Sequence, residues 1–215
     1  MRHRPKNWTG DELGSNPRFI YDPGGLRGGW GAAFGNSAPI YLEIGCGKGG
    51  FILDMAQARP DVNFIGIEKE ELIIAMALRG AKNRDFPPNL LFACANARHL
   101  CDIFDKNELG RIYLNFSDPW RSRSRWRKRR LTHGDFLDIY EEIMHSPEVF
   151  FKTDDPELFR FSMAEFSQSG WEIKNITHDL HNSEYAAENI QTEYEKRFVS
   201  QGKPICRLEA YKNIV

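Results

Sequence analysis

Short apolar runs and stretches of helical periodicity alternate along this chain from residue 39 onward. PIYLEI (39–44) is a brief apolar run, and GGFILDMAQARP (49–60) follows with Phe51, Ile52, Met55 and Ala56 at helical spacing. VNFIGIE (62–68) predicts a strand, and KEELIIAMALRGAKNRD (69–85) a helix with charged flanks. NLLFACAN (89–96) and RIYLNFS (111–117) predict strands, HGDFLDIYEEIM (133–144) a helix and EVFFKTD (148–154) a strand. PELFRFSMAEFSQSG (156–170) has Pro156 near its start and Gly170 at its end, as a helix prefers. WEIKNITHDL (171–180) and ICRLEAYK (205–212) complete seven strands. Such alternation predicts an α/β fold: βαβ units in a mostly parallel seven-stranded sheet, with helices on both faces. Ligands of such sheets bind at the carboxyl ends of the strands, where strand order reverses, so the residues ending the strands carry the chemistry.

The first part of the chain departs from this pattern. DPGGLRGGWGAAFG (22–35) holds six glycines and one proline, a composition that argues against a regular helix or strand interior. Residues 1–38 are therefore expected to form an arm, basic at Arg2, His3, Arg4 and Lys6, and a mobile loop, ahead of a single domain over 39–215. Hydrophobic residues make up 41 % and charged residues 27 %, the balance of a globular protein. No apolar run approaches the roughly 20 residues that span a bilayer, so no membrane contact is expected and the cytoplasm is the expected location. Cys46, Cys94, Cys101 and Cys206 form no CxxC pair, and neither a disulfide frame nor a metal site is expected.

YLEIGCGKGGF (41–51) links the first strand to the first helix. Gly45, Gly47 and Gly50 fit GxGxxG, whereas Gly45, Gly47 and Gly49 fit the GxGxG of S-adenosylmethionine sites. Both need a tight turn that lets the backbone approach a cofactor. Glu43 distinguishes them, because an acid before the turn suits an ammonium and a sulfonium better than a pyrophosphate. Glu68, ending the second strand, is placed to accept from ribose hydroxyls. Asn96, closing the third, can meet an adenine edge through its amide, although Asn also commonly ends strands.

The whole chain carries 29 Lys and Arg against 30 Asp and Glu, a net charge of −1. Yet Arg121, Arg123, Arg125, Arg127, Lys128, Arg129 and Arg130 put seven positive charges into ten residues directly after Asp118-Pro119-Trp120. Self-repulsion of that density in a compact domain points to an anionic partner. Arginine outnumbers lysine in the run, and arginine favours bidentate phosphate contacts and stacking on bases. A nucleic acid backbone is the expected partner, with Trp126 open to two readings, stacking on a base or anchoring the loop.

Glu43-x-Gly45-x-Gly47-x-Gly49, Asn115-Phe116-x-Asp118-Pro119-Trp120, Lys128-Arg129-Arg130-Leu131, Lys152-Thr153-Asp154 and Thr192-Glu193-Tyr194-Glu195 occur in this order. The set, over nearly the whole chain, resembles the tRNA (guanine-N7-)-methyltransferase family. The resemblance implies a class I S-adenosylmethionine-dependent fold and methylation of a guanine in the variable loop of tRNA. It places Glu43, Glu68, Asn96 and Asp118 at the cofactor, with Asp118 also catalytic, and Asp154, Thr192, Glu193, Tyr194 and Glu195 at the substrate. The family usually continues after Asp-Pro-Trp with Pro-Lys-Lys. Here Arg121-Ser122-Arg123-Ser124 follows, one residue longer, with Arg123 in the place of the substrate lysine. Asp118, at the end of the fourth strand, suits a carboxylate that stabilises positive charge developing on a purine. Acceptors on Asp154, Glu193 and Glu195 suit guanine, which offers donors at N1 and N2 where adenine has none. Thr192 with Glu195 also fits a helix capping box, and Asp154 or Asp155 fits the cap of the helix at Pro156. A monomer or a homodimer is compatible with all of this. His99, His133, His178 and His181 are isolated and are expected to be surface or packing residues. Other readings are a methyltransferase acting on another substrate, a non-catalytic RNA-binding module on this fold, and an oxidoreductase using NAD. The clustered charges weigh against the first, the retained acids against the second and Glu43 against the third.

Overall fold

A computed structural model of the protein describes residues 6–121 and 124–213. Its centre is an eight-stranded sheet in the order β1-β4-β3-β2-β5-β6-β8-β7. The strands are β1 (Phe19–Ile20), β2 (Ile40–Ile44), β3 (Asn63–Glu68), β4 (Leu90–Cys94), β5 (Arg111–Asn115), β6 (Glu148–Thr153), β7 (Glu172–Thr177) and β8 (Cys206–Tyr211). All neighbours run parallel except β8, which is antiparallel to both β6 and β7. The seven strands expected from the pattern are present, and the two-residue β1 adds an eighth at the edge.

The helices are α1 (Thr9–Ser15), α2 (Trp30–Phe34), α3 (Gly50–Ala58), α4 (Glu71–Lys82), α5 (Leu100–Ile103), α6 (Gly134–Ile143), α7 (Pro156–Gln168) and α8 (Glu193–Val199). Period-two alternation along the strands splits the core between the two sheet faces. Ile40, Leu42 and Ile44 of β2 join Ile112, Leu114 and Phe151 beneath α5, α6 and α7. On the opposite face Phe64, Phe92 and Tyr113 pack against Phe51 and Ile52 of α3 and Ile74 and Leu78 of α4. Successive strands proceed outward from β2 through β3 to β4, and in the other direction from β5 to β6. The order therefore reverses between β2 and β5, which lie side by side.

The segment before residue 39 departs from the expected arm and loop. Trp30 is fully buried, with its indole N–H donating to the Ile103 carbonyl at 3.0 Å and its ring stacked on Phe104. The Glu108 carboxylate accepts from the backbone N–H groups of Gly28 and Trp30, each at 3.0 Å. One buried aromatic and one carboxylate from a distant loop thus order a glycine-rich stretch that has little intrinsic preference for structure. Ahead of it, buried Glu12 on α1 pairs with Arg79 and Lys82 of α4. Arg2, His3 and Arg4 lie outside the described residues, as does Arg123. Among the described residues no helix is long and apolar enough to cross a membrane.

Candidate active site at the strand switch point

A cavity of about 560 Å³ opens at the carboxyl ends of β2, β3, β4 and β5. Its floor is the turn between β2 and α3. The N–H groups of Gly45 and Cys46 both donate to the Ile67 carbonyl of β3, at 2.9 and 3.0 Å, which folds the chain sharply back on the strand ends. Gly45 and Gly47 take φ of +75° and +56°, and a Cβ at either would meet no protein atom within 4 Å. Their missing side chains leave open space on the cavity side, as close backbone approach to a ligand requires. Gly49, also expected at the cofactor, does not line the cavity. A Cβ there would lie 2.9 Å from Phe92 Cζ, so its glycine serves helix–sheet packing.

Glu43, one residue before the end of β2, and Asn115, the last of β5, stand on the two strands that flank the reversal. The Asn115 amide donates to Glu43 Oε1 at 2.8 Å. Glu43 Oε2 is buried and has no partner, and the residue is 3 % exposed. Burial pushes the Glu43 carboxyl up to about 7, against Asn115 and Lys152, which favour the carboxylate. A buried acceptor without a donor is costly, and a cation or donor held in this cavity relieves it. A pH dependence follows. Because Glu43 binds a proton more tightly folded than unfolded, its contribution to stability is full below about 4.5 and is lost as pH rises through about 7. The Glu43→Gln variant is expected to remove a decline of about 3 kcal/mol over that interval. Urea unfolding of both proteins at a series of pH values measures it; parallel curves would assign the effect elsewhere.

Glu68 and Asn96 stand at the ends of β3 and β4 and line the same cavity. Glu68 accepts from the Lys69 N–H at 2.7 Å, and the Asn96 side-chain oxygen accepts from the Arg98 N–H at 3.1 Å. Asn96 thus caps the short turn Ala97–His99 while its amide group remains at the cavity wall. Asp118 is exposed, and its Oδ1 accepts from the Trp120 N–H at 2.9 Å. The turn around it is strained: Phe116 and Trp120 have φ of +52° and +46°. Ser117 Oγ is buried there without a partner.

The basic run borders the cavity mouth, with Trp120, Arg129 and Leu131 in its wall. Arg125, Arg127, Lys128 and Arg129 are exposed. The Arg129 guanidinium lies 4.8 Å from the Trp120 ring and 5.6 Å from Trp126, and the two indoles meet edge to face. Arg121 pairs with Asp155, the N-cap of α7. Arg130 departs from the expected role: it is 1 % exposed and bonded inside the protein, out of reach of an external phosphate. Arg98 carries no mark in the sequence. It lines the cavity and donates to the Lys128 carbonyl at 2.7 Å, joining the β4 loop to the basic run. No local motif marks a lone arginine for that task.

Thr192, Glu193 and Tyr194 form the facing wall. Tyr194 is 60 % exposed and stacks on Phe198, which also meets Phe116. The capping box is present, with Thr192 accepting from the Glu195 N–H and Glu195 from the Thr192 N–H. Glu195 itself departs from its expected place at the substrate. It is fully buried and paired with Lys152 at 2.8 Å, and His181 Nε2 lies 2.9 Å from its Oε1. His181 packs there, and His133 caps α6. Asp154 is partly exposed beside Lys203, outside the cavity lining.

An open, acid-lined cavity at the reversal of a Rossmann-like sheet defines the class: a methyltransferase of the class I fold. Solved structures agree on the fold. The 16S rRNA methyltransferase KamB superposes with a TM-score of 0.61 at 14 % identity, over 99 % of this chain and 96 % of that one. An antibiotic-related methyltransferase gives 0.58 at 19 %, over 84 % and 90 %. The family model described as "Putative methyltransferase" matches residues 37–208. Proteins named tRNA (guanine-N(7)-)-methyltransferase align over nearly the full length. The one from Listeria monocytogenes is 46 % identical, over 98 % of each chain, and that from Lysinibacillus sphaericus is 43 % identical, over 98 % of this chain and 97 % of the relative. The chain belongs to the tRNA (guanine-N7-)-methyltransferase family.

Proposed function

We propose that the protein transfers a methyl group from S-adenosylmethionine to N7 of a guanine in the variable loop of tRNA. The observation that carries this reading is a run of four exposed cations, Arg125, Arg127, Lys128 and Arg129, whose last member lines a cavity that also holds Glu43, with one buried carboxylate oxygen lacking a partner. When bound, S-adenosylmethionine supplies an electrophilic methyl on a positively charged sulfur. Glu43 and the Gly45–Gly47 turn would hold its charged end, Glu68 would accept from its ribose hydroxyls and Asn96 would meet its adenine. N7 carries an in-plane lone pair and no proton, so it would take the methyl carbon by displacement, with sulfur as the leaving group, and would need no base. Positive charge passes to the purine, where the Asp118 carboxylate stabilises it. Thr192 and Tyr194 bound the base, and Glu193 accepts from the N1 and N2 donors that distinguish guanine. Trp120 and Tyr194 give the mouth two aromatic faces on which an unstacked base can rest.

Incubation with unmodified tRNA and methyl-labelled cofactor, followed by mapping of the product, is expected to place the label on guanine N7. Label on another base, or none with tRNA, overturns the reading. In the same assay Arg125→Ala with Arg127→Ala is expected to raise the tRNA KM about tenfold. It should also reduce the slope of log affinity against log salt by roughly two. Cofactor affinity is unaffected if the rim serves only RNA.

A further inference from the structure

The basic run holds two kinds of arginine. Five of its described cations, Arg121, Arg125, Arg127, Lys128 and Arg129, are exposed, but Arg130 is buried, and a side chain without solvent access does not meet an RNA phosphate. Its Nε donates to the Pro119 carbonyl at 2.8 Å and its Nη2 to Glu157 at 3.0 Å, while its guanidinium lies 4.5 Å from the centre of the Phe161 ring. Glu157 and Phe161 are one turn apart on α7. Arg130 is therefore fixed to a helix at one end and to the middle of the Asp118-Pro119-Trp120 turn at the other.

That turn needs an external hold. Trp120 has φ of +46°, in a region that a bulky side chain seldom enters, and such backbone persists only where its surroundings over-determine it. The bond from the Trp120 N–H to Asp118 Oδ1 lies within the turn. Arg129 over the Trp120 ring comes from the same loop. Two links tie the turn to α7: Arg121 beyond Trp120 pairs with Asp155 at the helix N-cap, and Arg130 joins the Pro119 carbonyl in the middle of the turn to Glu157 and Phe161. A planar fork suits this task, because it serves two acceptors in fixed directions where an ammonium serves as a point charge.

We propose that Arg130 is a positioning residue for the Asp118 carboxylate: anchored on α7, it holds the Pro119 carbonyl and so aims Asp118 and Trp120 at the cavity. This rests on the reading of Asp118 as the group beside the reacting guanine. It assigns a conformational task to one member of a run whose composition suggests RNA binding throughout.

Steady-state kinetics on tRNA separate the possibilities. Arg130→Gln is expected to lower kcat by about a hundredfold, the scale of a misplacement near 1 Å, with tRNA KM held within twofold. Arg130→Lys, which reaches one of the two acceptors, is expected to recover about a tenth of wild-type kcat. The salt slope of tRNA binding stays at the wild-type value in both, unlike the Arg125 and Arg127 pair. A higher tRNA KM with a shallower salt slope makes Arg130 an RNA contact and overturns the proposal. So does wild-type kcat in both variants, or a fall in kcat that follows melting temperature and shows no difference between lysine and glutamine. Should Arg130→Gln not fold, Glu157→Gln loosens the anchor from its exposed end. A fall in kcat of threefold or more at constant KM then supports the proposal, and unchanged kcat refutes it. A wild-type enzyme that does not methylate guanine N7 defeats the functional reading itself, whereas active wild type with unaffected Arg130 variants defeats this inference alone.

Discussion

Asp118→Asn is expected to reduce kcat at saturating tRNA and cofactor by about 10²–10³, while the melting temperature stays close to wild type. The substitution is nearly isosteric. An asparagine side-chain oxygen still accepts from the Trp120 N–H, the bond that Asp118 Oδ1 makes at 2.9 Å, so the turn is retained and only the charge is lost. Asp118 is exposed, so little folding energy depends on it. The charge matters because methyl transfer to N7 moves a full positive charge onto the purine and uncovers no proton. Electrostatic stabilisation is then the main contribution a side chain can make, and a preorganised carboxylate is worth roughly 3–4 kcal/mol at the transition state. Asp118→Ala removes the turn acceptor as well and is expected to fall further. Rapid-mixing measurement of a single turnover checks both. An asparagine variant that keeps more than a tenth of the wild-type rate would falsify the catalytic assignment and leave Asp118 as a turn residue.

The parts of this site that were legible in the sequence are those fixed by neighbours in the chain. Gly45 and Gly47 follow an apolar run and precede a helix, so their place at the end of β2 is a local consequence of pattern. The Thr192 and Glu195 capping box is likewise local, three residues apart. Side-chain direction is not local. Glu195 and Glu193 lie two apart at the start of α8, about 200° around a helix, so one faces the protein and the other the cavity. The sequence offers two acids there and no means of choosing between them without the position of Lys152. Arg130 and Arg129 differ in the same way, with Glu157 and Pro119 deciding which is drawn inward. Gly49 looks like Gly45 and Gly47 because all three take positive φ, yet its neighbour is Phe92 from β4. The buried Trp30 shows the converse: six nearby glycines hide an element that a single aromatic side chain and Glu108 hold in place.

Glu195→Ala is expected to destabilise the fold by about 3–5 kcal/mol, lowering the melting temperature on the order of 10 °C. Glu195 is fully buried, and its partner ammonium on Lys152 donates to Glu195, to Asn189 and to the Ile190 carbonyl. Burial already pulls the Lys152 ammonium below its ordinary value, and Glu195 is the principal group that opposes it. Removing the carboxylate leaves a buried cation with neutral partners, which costs more than the pair itself contributes. The same bonds tie β6 to the segment 189–195 and set the first turn of α8, so Thr192 and Tyr194 lose their place at the cavity wall together with the stability. Lys152→Met combined with Glu195→Met removes both charges and fills the space. It is expected to recover most of the lost stability, since an apolar pair of similar volume often matches a buried ion pair. A double-mutant cycle on unfolding free energy, run beside tRNA KM for each variant, distinguishes this role from direct contact with the guanine. A substrate ligand would leave Glu195→Ala as stable as wild type with a raised KM, and the Lys152 substitution would then do nothing to offset it.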